Sequence, residues 1–201
     1  GSAYVFVRSD MTWIHGQKLS PSDASGGGQK KFGNAVSISG NVAIIAAYDE
    51  DQPGAPDAGT AYVFLRSGNT WTQQQKLLPM DVMAYTYFGS SVAVSGDSVF
   101  ITSGMCTSCR SQTGAVYIFM REEIAWSQRQ KLTFSGTDGF GSSISVSGDT
   151  VVIGAPGEHS KDGAAYVFVR VGASWILQQK LQASNGTSGA QFGISVAVSG
   201  D

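Results

Sequence analysis

A few residue groups in this 201-residue chain could do chemistry. Asp49, Glu50, Asp51 and Asp57 cluster in the stretch YDEDQPGAPDA. Carboxylates at such density suit a hard cation, and calcium takes six to eight oxygen ligands. The spacing matches no known calcium loop, so a solvated loop is the expectation, with Asp49, Asp51 and Asp57 as the only metal candidates. Glu158 and Asp162 could form the carboxylate pair of a glycosidase, but that pairing is a property of the fold, and surface charge is the expectation. Two histidines, His15 and His159, stand alone. No Gly-x-Ser-x-Gly, His-Glu-x-x-His or phosphate loop occurs, so catalysis is not expected.

Cys106 and Cys109 are the only cysteines, in Cys-Thr-Ser-Cys. A redox pair needs a βαβ context with a helix after the first Cys, and no helical periodicity is present. A zinc site needs two further ligands, and no second Cys or His pair is near. The preferred reading is a local disulfide, stabilising by about 2 kcal/mol at most and implying an oxidising compartment. Asn185-Gly186-Thr187 is the one glycosylation sequon, in an expected loop. With charged residues at 14% and Ser/Thr/Gly-rich loops, an extracellular or cell-surface location is expected. A net charge of −2 gives no electrostatic case for nucleic acid or an anionic membrane. No apolar run approaches the ~20 residues of a membrane-spanning helix. No signal peptide opens the sequence, and the expectation is a fragment or subunit of a longer protein.

The elements that position these residues repeat. Phe-Gly recurs at Phe32-Gly33, Phe88-Gly89, Phe140-Gly141 and Phe192-Gly193, at spacings of 56, 52 and 52 residues. A Ser-Gly-Asp/Asn turn follows each pair, as at Ser95-Gly96-Asp97. A Tyr-apolar-Phe run comes next, as at Tyr62-Val63-Phe64. Trp13, Trp71, Trp126 and Trp175 each precede a Gln-Lys-Leu ending. Four strand-like runs per ~52-residue period predict an all-β protein of β-propeller blades, each of four antiparallel strands. The expected organisation is strands three and four of a partial blade over residues 1–31, whole blades over 32–87, 88–139 and 140–191, and a further first strand over 192–201. The Gly of each Ser-Gly turn supplies the positive φ that a two-residue hairpin turn needs.

Runs such as Val151-Val152-Ile153 are apolar on both parities, as in strands buried on both faces. The fourth runs alternate, as outer strands do. Phe32, Phe88, Phe140 and Phe192 are expected to be equivalent and buried. The recurring Arg8, Arg66, Arg121 and Arg170 are expected as strand-end charges reaching water, and Lys18, Lys76, Lys131 and Lys180 likewise.

Phe140-Gly141, then Ile153-Gly154-Ala155-Pro156, then Gly163 before Tyr166-Val167-Phe168 resemble the FG-GAP repeats of integrin alpha-subunit propellers and microbial surface proteins. The resemblance covers the whole chain. It implies a β-propeller, an extracellular setting and adhesive or structural work. Calcium-binding integrin repeats carry an Asp-rich loop between the first and second strands. Here that loop has shrunk to Gly40-Asn41, Gly96-Asp97 and Gly148-Asp149, too short to wrap an ion, so calcium is not carried over to these turns.

The leading expectation is an extracellular structural or adhesive repeat protein that contacts protein or glycan partners or assembles head to tail. The alternatives are an accessory propeller region of a secreted glycan-degrading enzyme and a calcium-dependent binding module using the 49–57 loop. Expected partners are other repeats of the same chain or other copies, joined through open strand edges at Tyr4–Arg8 and Ser195–Ser199.

Overall fold

A computed structural model describes residues 1–23, 31–104, 113–158 and 162–200. Every named element is a strand. β1 (Ala3–Ser9) and β2 (Thr12–Leu19) form a two-stranded sheet. β3 (Val36–Ser39), β4 (Val42–Ala47), β5 (Thr60–Ser67) and β6 (Thr70–Leu77) form the first four-stranded sheet. β7 (Val92–Ser95), β8 (Ser98–Ser103), β9 (Thr113–Glu122) and β10 (Ala125–Asp138) form the second. β11 (Ser143–Ser147), β12 (Thr150–Ala155), β13 (Ala164–Val171) and β14 (Ser174–Leu181) form the third. All pairings within the sheets are antiparallel between sequence neighbours, the up-and-down meander of a propeller blade.

Turn chemistry fixes the meander. Gly40, Gly96 and Gly148 take φ of 56°, 57° and 54° at the first position of the two-residue turns, a region costly for any residue with a Cβ. The next residue's carbonyl then accepts from the third strand: Arg66, Arg121 and Arg170 donate their backbone N–H to Asn41, Asp97 and Asp149, each at 2.9 Å. One hairpin turn is thereby locked to the strand that will pair beside it.

Alternate residues of each sheet face opposite neighbours. In β5, Tyr62 and Phe64 point back toward β1–β2, packing with Val5, Leu19 and Phe32. Ala61 and Val63 point forward to Val92, Val94, Tyr117 and Trp126 of the second sheet. The second sheet repeats this against the third, with Phe100 and Ile118 meeting Val151, Ile153, Tyr166 and Trp175. Central strands are therefore apolar on both parities: β4 and β8 are buried at every position.

Two expectations need correction. Ser195–Ser199 does not form a strand. Among the described residues no second strand lies beside it, so its backbone has no ladder to join. It is held instead by side chains: Val198 N–H donates to Ser145 Oγ and Gly200 N–H to Ser147 Oγ, both at 3.1 Å. Phe192 is also not equivalent in burial to the other three. It is 37% exposed, whereas Phe32, Phe88 and Phe140 are at most 3% exposed, because the aromatic pair that receives them has no counterpart beyond Phe192.

Candidate functional site: the joint between blades

Four recurring parts build the blades and the joints between them. The first is the Phe-Gly pair. Phe88 stands edge-on to Tyr117 and Phe119 of β9, at centroid distances of 5.3 and 6.2 Å. Phe32 meets Tyr62 and Phe64, and Phe140 meets Tyr166 and Phe168, in the same edge-to-face manner. Such pairs add about 0.5–1.5 kcal/mol beyond the area they bury. The glycine lets the backbone enter the joint. Gly89 sits at φ 98°, and a Cβ there would lie 2.8 Å from Ala46 Cβ in the preceding sheet.

The second part is a glutamine clasp. The Gln of Gln-Lys-Leu reaches across to the Trp of the next fourth strand and satisfies its backbone at both ends. Gln17 Nε2 donates to Trp71 O, and Trp71 N–H donates to Gln17 Oε1, both at 2.8 Å. Gln75 does the same to Trp126, at 2.8 Å in each direction. Gln130 does it to Trp175, at 2.8 and 2.9 Å. A primary amide is the one neutral side chain that offers donor and acceptor side by side, as a neighbouring strand would. Outer strands of adjacent blades are thus joined by one ladder rung made from a side chain.

The third part is a buried carboxylate three residues beyond the second strand. Glu50 and Glu158 are 8% and 4% exposed. Tyr62 Oη donates to Glu50 Oε2 at 2.8 Å, and Lys76 Nζ lies 2.7 Å from both Glu50 Oε1 and Asp23 Oδ2. Tyr166 Oη donates to Glu158 Oε2 at 2.6 Å, and Lys180 pairs with the same carboxylate. Burial, then the neighbouring Glu50 charge, pushes the Tyr62 phenol well above its ordinary value. Burial alone would pull Lys76 down, but its bonds to Asp23 and Glu50 outweigh this and hold it above the usual lysine range. In the second sheet Lys131 pairs with Asp81 and lies 5.0 Å over the Tyr117 ring. Lys76 and Lys180 keep partial access to water, as strand-end charges do, while each also pairs with a buried glutamate.

The fourth part is the arginine at the end of the third strand. Arg8, Arg66 and Arg170 donate Nε to the carbonyls of Asp10, Gly68 and Gly172, closing the turn to the fourth strand. Arg170 also bridges two blades, with Nη1 2.9 Å from Asp97 Oδ1. That hydrogen bond holds the Asp97 carboxyl below its usual value.

The carboxylates singled out in the sequence are not gathered. Asp51 Oδ1 accepts from Asp57 N–H at 2.9 Å, folding the loop on itself, while Glu50 turns inward. Glu158 is likewise buried against Tyr166 and Lys180, so it is not the surface charge expected. Among the described residues no three His, Cys, Asp or Glu side chains come together as a metal set. Cys106, Cys109 and His159 lie outside the described residues. Asn185 is exposed on a turn beyond β14. His15 packs against the rings of Tyr4 and Phe6 on β1. No helix among the described residues is long and apolar enough to cross a membrane.

One joint is imperfect in an instructive way. Trp126 Nε1 donates to Gln74 Oε1 at 3.2 Å. The residue in Gln74's place one blade later is Arg129, which has donors only. Trp175 Nε1 is accordingly buried with no partner among the described residues.

A profile of the FG-GAP repeat matches residues 13–64, 71–119, 126–168 and 175–201. Among curated proteins no relative matches the chain. The first three matched segments each span a Trp, a Phe-Gly pair and a Tyr-apolar-Phe run, the fourth a Trp and a Phe-Gly pair, and the chain belongs to the FG-GAP repeat family.

Proposed function

We propose that this chain is an extracellular structural or adhesive scaffold, a stack of propeller blades that presents its loops to protein or glycan partners and joins further repeats through its sheet faces. One observation carries the reading. The polar side chains that a catalytic site would draw on are already engaged: Glu50, Tyr62 and Lys76 are tied into pairs within one blade, and Glu158, Tyr166 and Lys180 within another. The Phe-Gly packing and the glutamine clasp recur at all three joints, as expected of a part whose work is to stack. Labelling of intact source cells with a membrane-impermeant amine reagent tests the location. The scaffold should be labelled at its exposed lysines without lysis. A pool labelled only after lysis would contradict the proposal.

A further inference from the structure

The joint between the first two four-stranded sheets carries residues that the repeat does not require, and both of its blades are complete. The loop over residues 48–58 is four residues longer than its counterpart over 156–162, which accounts for the 56- against 52-residue spacing. In repeat arrays such insertions gather on one face, often the binding face. The residue after the second strand is Tyr48 here, and Gly104 and Pro156 in the later blades. The residue before the Phe-Gly pair is Tyr87, where the later copies have Gly139 and Gln191. Tyr85 holds the place of Gly189. Tyr85 and Tyr87 take φ of 60° and 50°, a left-handed conformation that glycine adopts freely and a bulky side chain only under strain. Gly189 and Gly139 hold those two places at φ of 88° and 75°. A tyrosine at a glycine position, twice in three residues, points to a use for the rings.

Two of these rings meet: Tyr48 and Tyr87 lie at a centroid distance of 5.9 Å and an interplanar angle of 49°. Tyr85 is 46% exposed, and its N–H donates to Pro56 O of the longer loop at 2.8 Å. Tyr87 N–H donates to Asp57 O of the same loop at 3.2 Å. Lys31 Nζ donates to Tyr48 Oη at 2.9 Å. That bond, with the Asp49 carboxylate nearby, holds Lys31 above its usual value. We propose that Tyr48, Tyr85 and Tyr87 form a platform that binds a neutral oligosaccharide. The inference rests on the scaffold reading above and deepens it, naming the class of glycan and the loops that take it. A cationic ligand would meet Lys31 and an anionic one Asp49, so the charges select a neutral one. A pyranose has an apolar C–H face to lie on a phenol ring. Its hydroxyls both donate and accept, as a rim holding an ammonium and a carboxylate requires. A polyproline segment also stacks on aromatic rings, but its carbonyls only accept and would leave the carboxylate side unmatched.

The probes are cellohexaose, laminarihexaose, mannohexaose and chitohexaose, each titrated into the full chain by calorimetry. Saturable binding of at least one is expected. Tyr85→Gly and Tyr87→Gly install the residue that other copies hold at these places, and each should weaken that binding at least ~10-fold. Unfolding midpoints should stay close to the wild-type value, because glycine relieves the left-handed φ. Where Tyr87→Gly loosens the joint, Tyr85→Gly, at an exposed ring, decides alone. No saturable binding of any probe to the folded wild-type chain would overturn the proposal, as would binding that Tyr85→Gly leaves unmoved. So would saturable binding of decaproline in place of the saccharides, which would assign the platform to a peptide. A failed titration leaves the location experiment untouched, and a cytosolic location leaves the titration untouched.

Discussion

The two-stranded sheet β1–β2 and the β5–β6 half of the next sheet are almost the same sequence in two surroundings. One reads AYVFVRS and TWIHGQKL, the other AYVFLRS and TWTQQQKL within its strands. Both form antiparallel hairpins in matching register, with a bulge after the same valine, Val5 and Val63. Yet Trp13 is 68% exposed and Trp71 4%. Strand and turn formation are therefore local properties of the repeat. Burial is a property of the neighbour, which one blade cannot supply for itself. Moving an aromatic side chain from one state to the other contributes roughly 1.5–3 kcal/mol, so a closed joint adds stability that the hairpin alone lacks.

The largest effect that could break this comparison is expected at the Phe-Gly positions. Phe88→Ala should destabilise by about 3–5 kcal/mol, because it opens a cavity in a closed joint. Phe192→Ala, at an open one, should cost less than about 1 kcal/mol. Urea denaturation of both variants decides it, and equal losses would mean that the joint does not set the energetics. Next come the ion pairs. Lys76→Met leaves Glu50 buried beside Tyr62 and should cost about 1–3 kcal/mol. Lys18→Met, where the ammonium lies 5.9 Å over the exposed Tyr4 ring, should be nearly neutral in the same assay. The smallest effect has the opposite sign. Arg129→Gln places an acceptor where Trp175 Nε1 has none, and should stabilise by about 1 kcal/mol. A thermal midpoint that fails to rise would mean that Trp175 is satisfied in some other way.

Much of the fold could be read from the sequence because the repeat displays its own landmarks. Phe-Gly, Ser-Gly-Asp and the twin parities of Val151–Ile153 each name a local geometry, and four copies align them. The joint chemistry was harder to read. The glutamine of Gln-Lys-Leu is visible as a recurrence, but its clasp on a tryptophan about 45–54 residues away is a contact between blades, which periodicity does not reveal. Glu50 sits among aspartates that read as a solvated loop. Its burial follows from Tyr62 and Lys76, two strands distant in sequence. The signal was present in the matched placement of Glu50 and Glu158, each three residues past its second strand. Phe192 shows the converse limit: an intact motif predicts burial only where a following blade receives it.

Hydrogen exchange at the four tryptophan backbone amides tests the central claim most directly. In the shared register, Arg8 faces Trp13 as Arg66 faces Trp71, so each Trp N–H points away from its own hairpin toward the preceding blade. Trp71, Trp126 and Trp175 should be strongly protected by their clasps, while Trp13 exchanges at nearly the rate of an open amide. Gln75→Leu should release Trp126 and leave Trp71 protected. Protection of Trp13 equal to the other three, or a Trp126 amide unmoved by Gln75→Leu, would contradict the account.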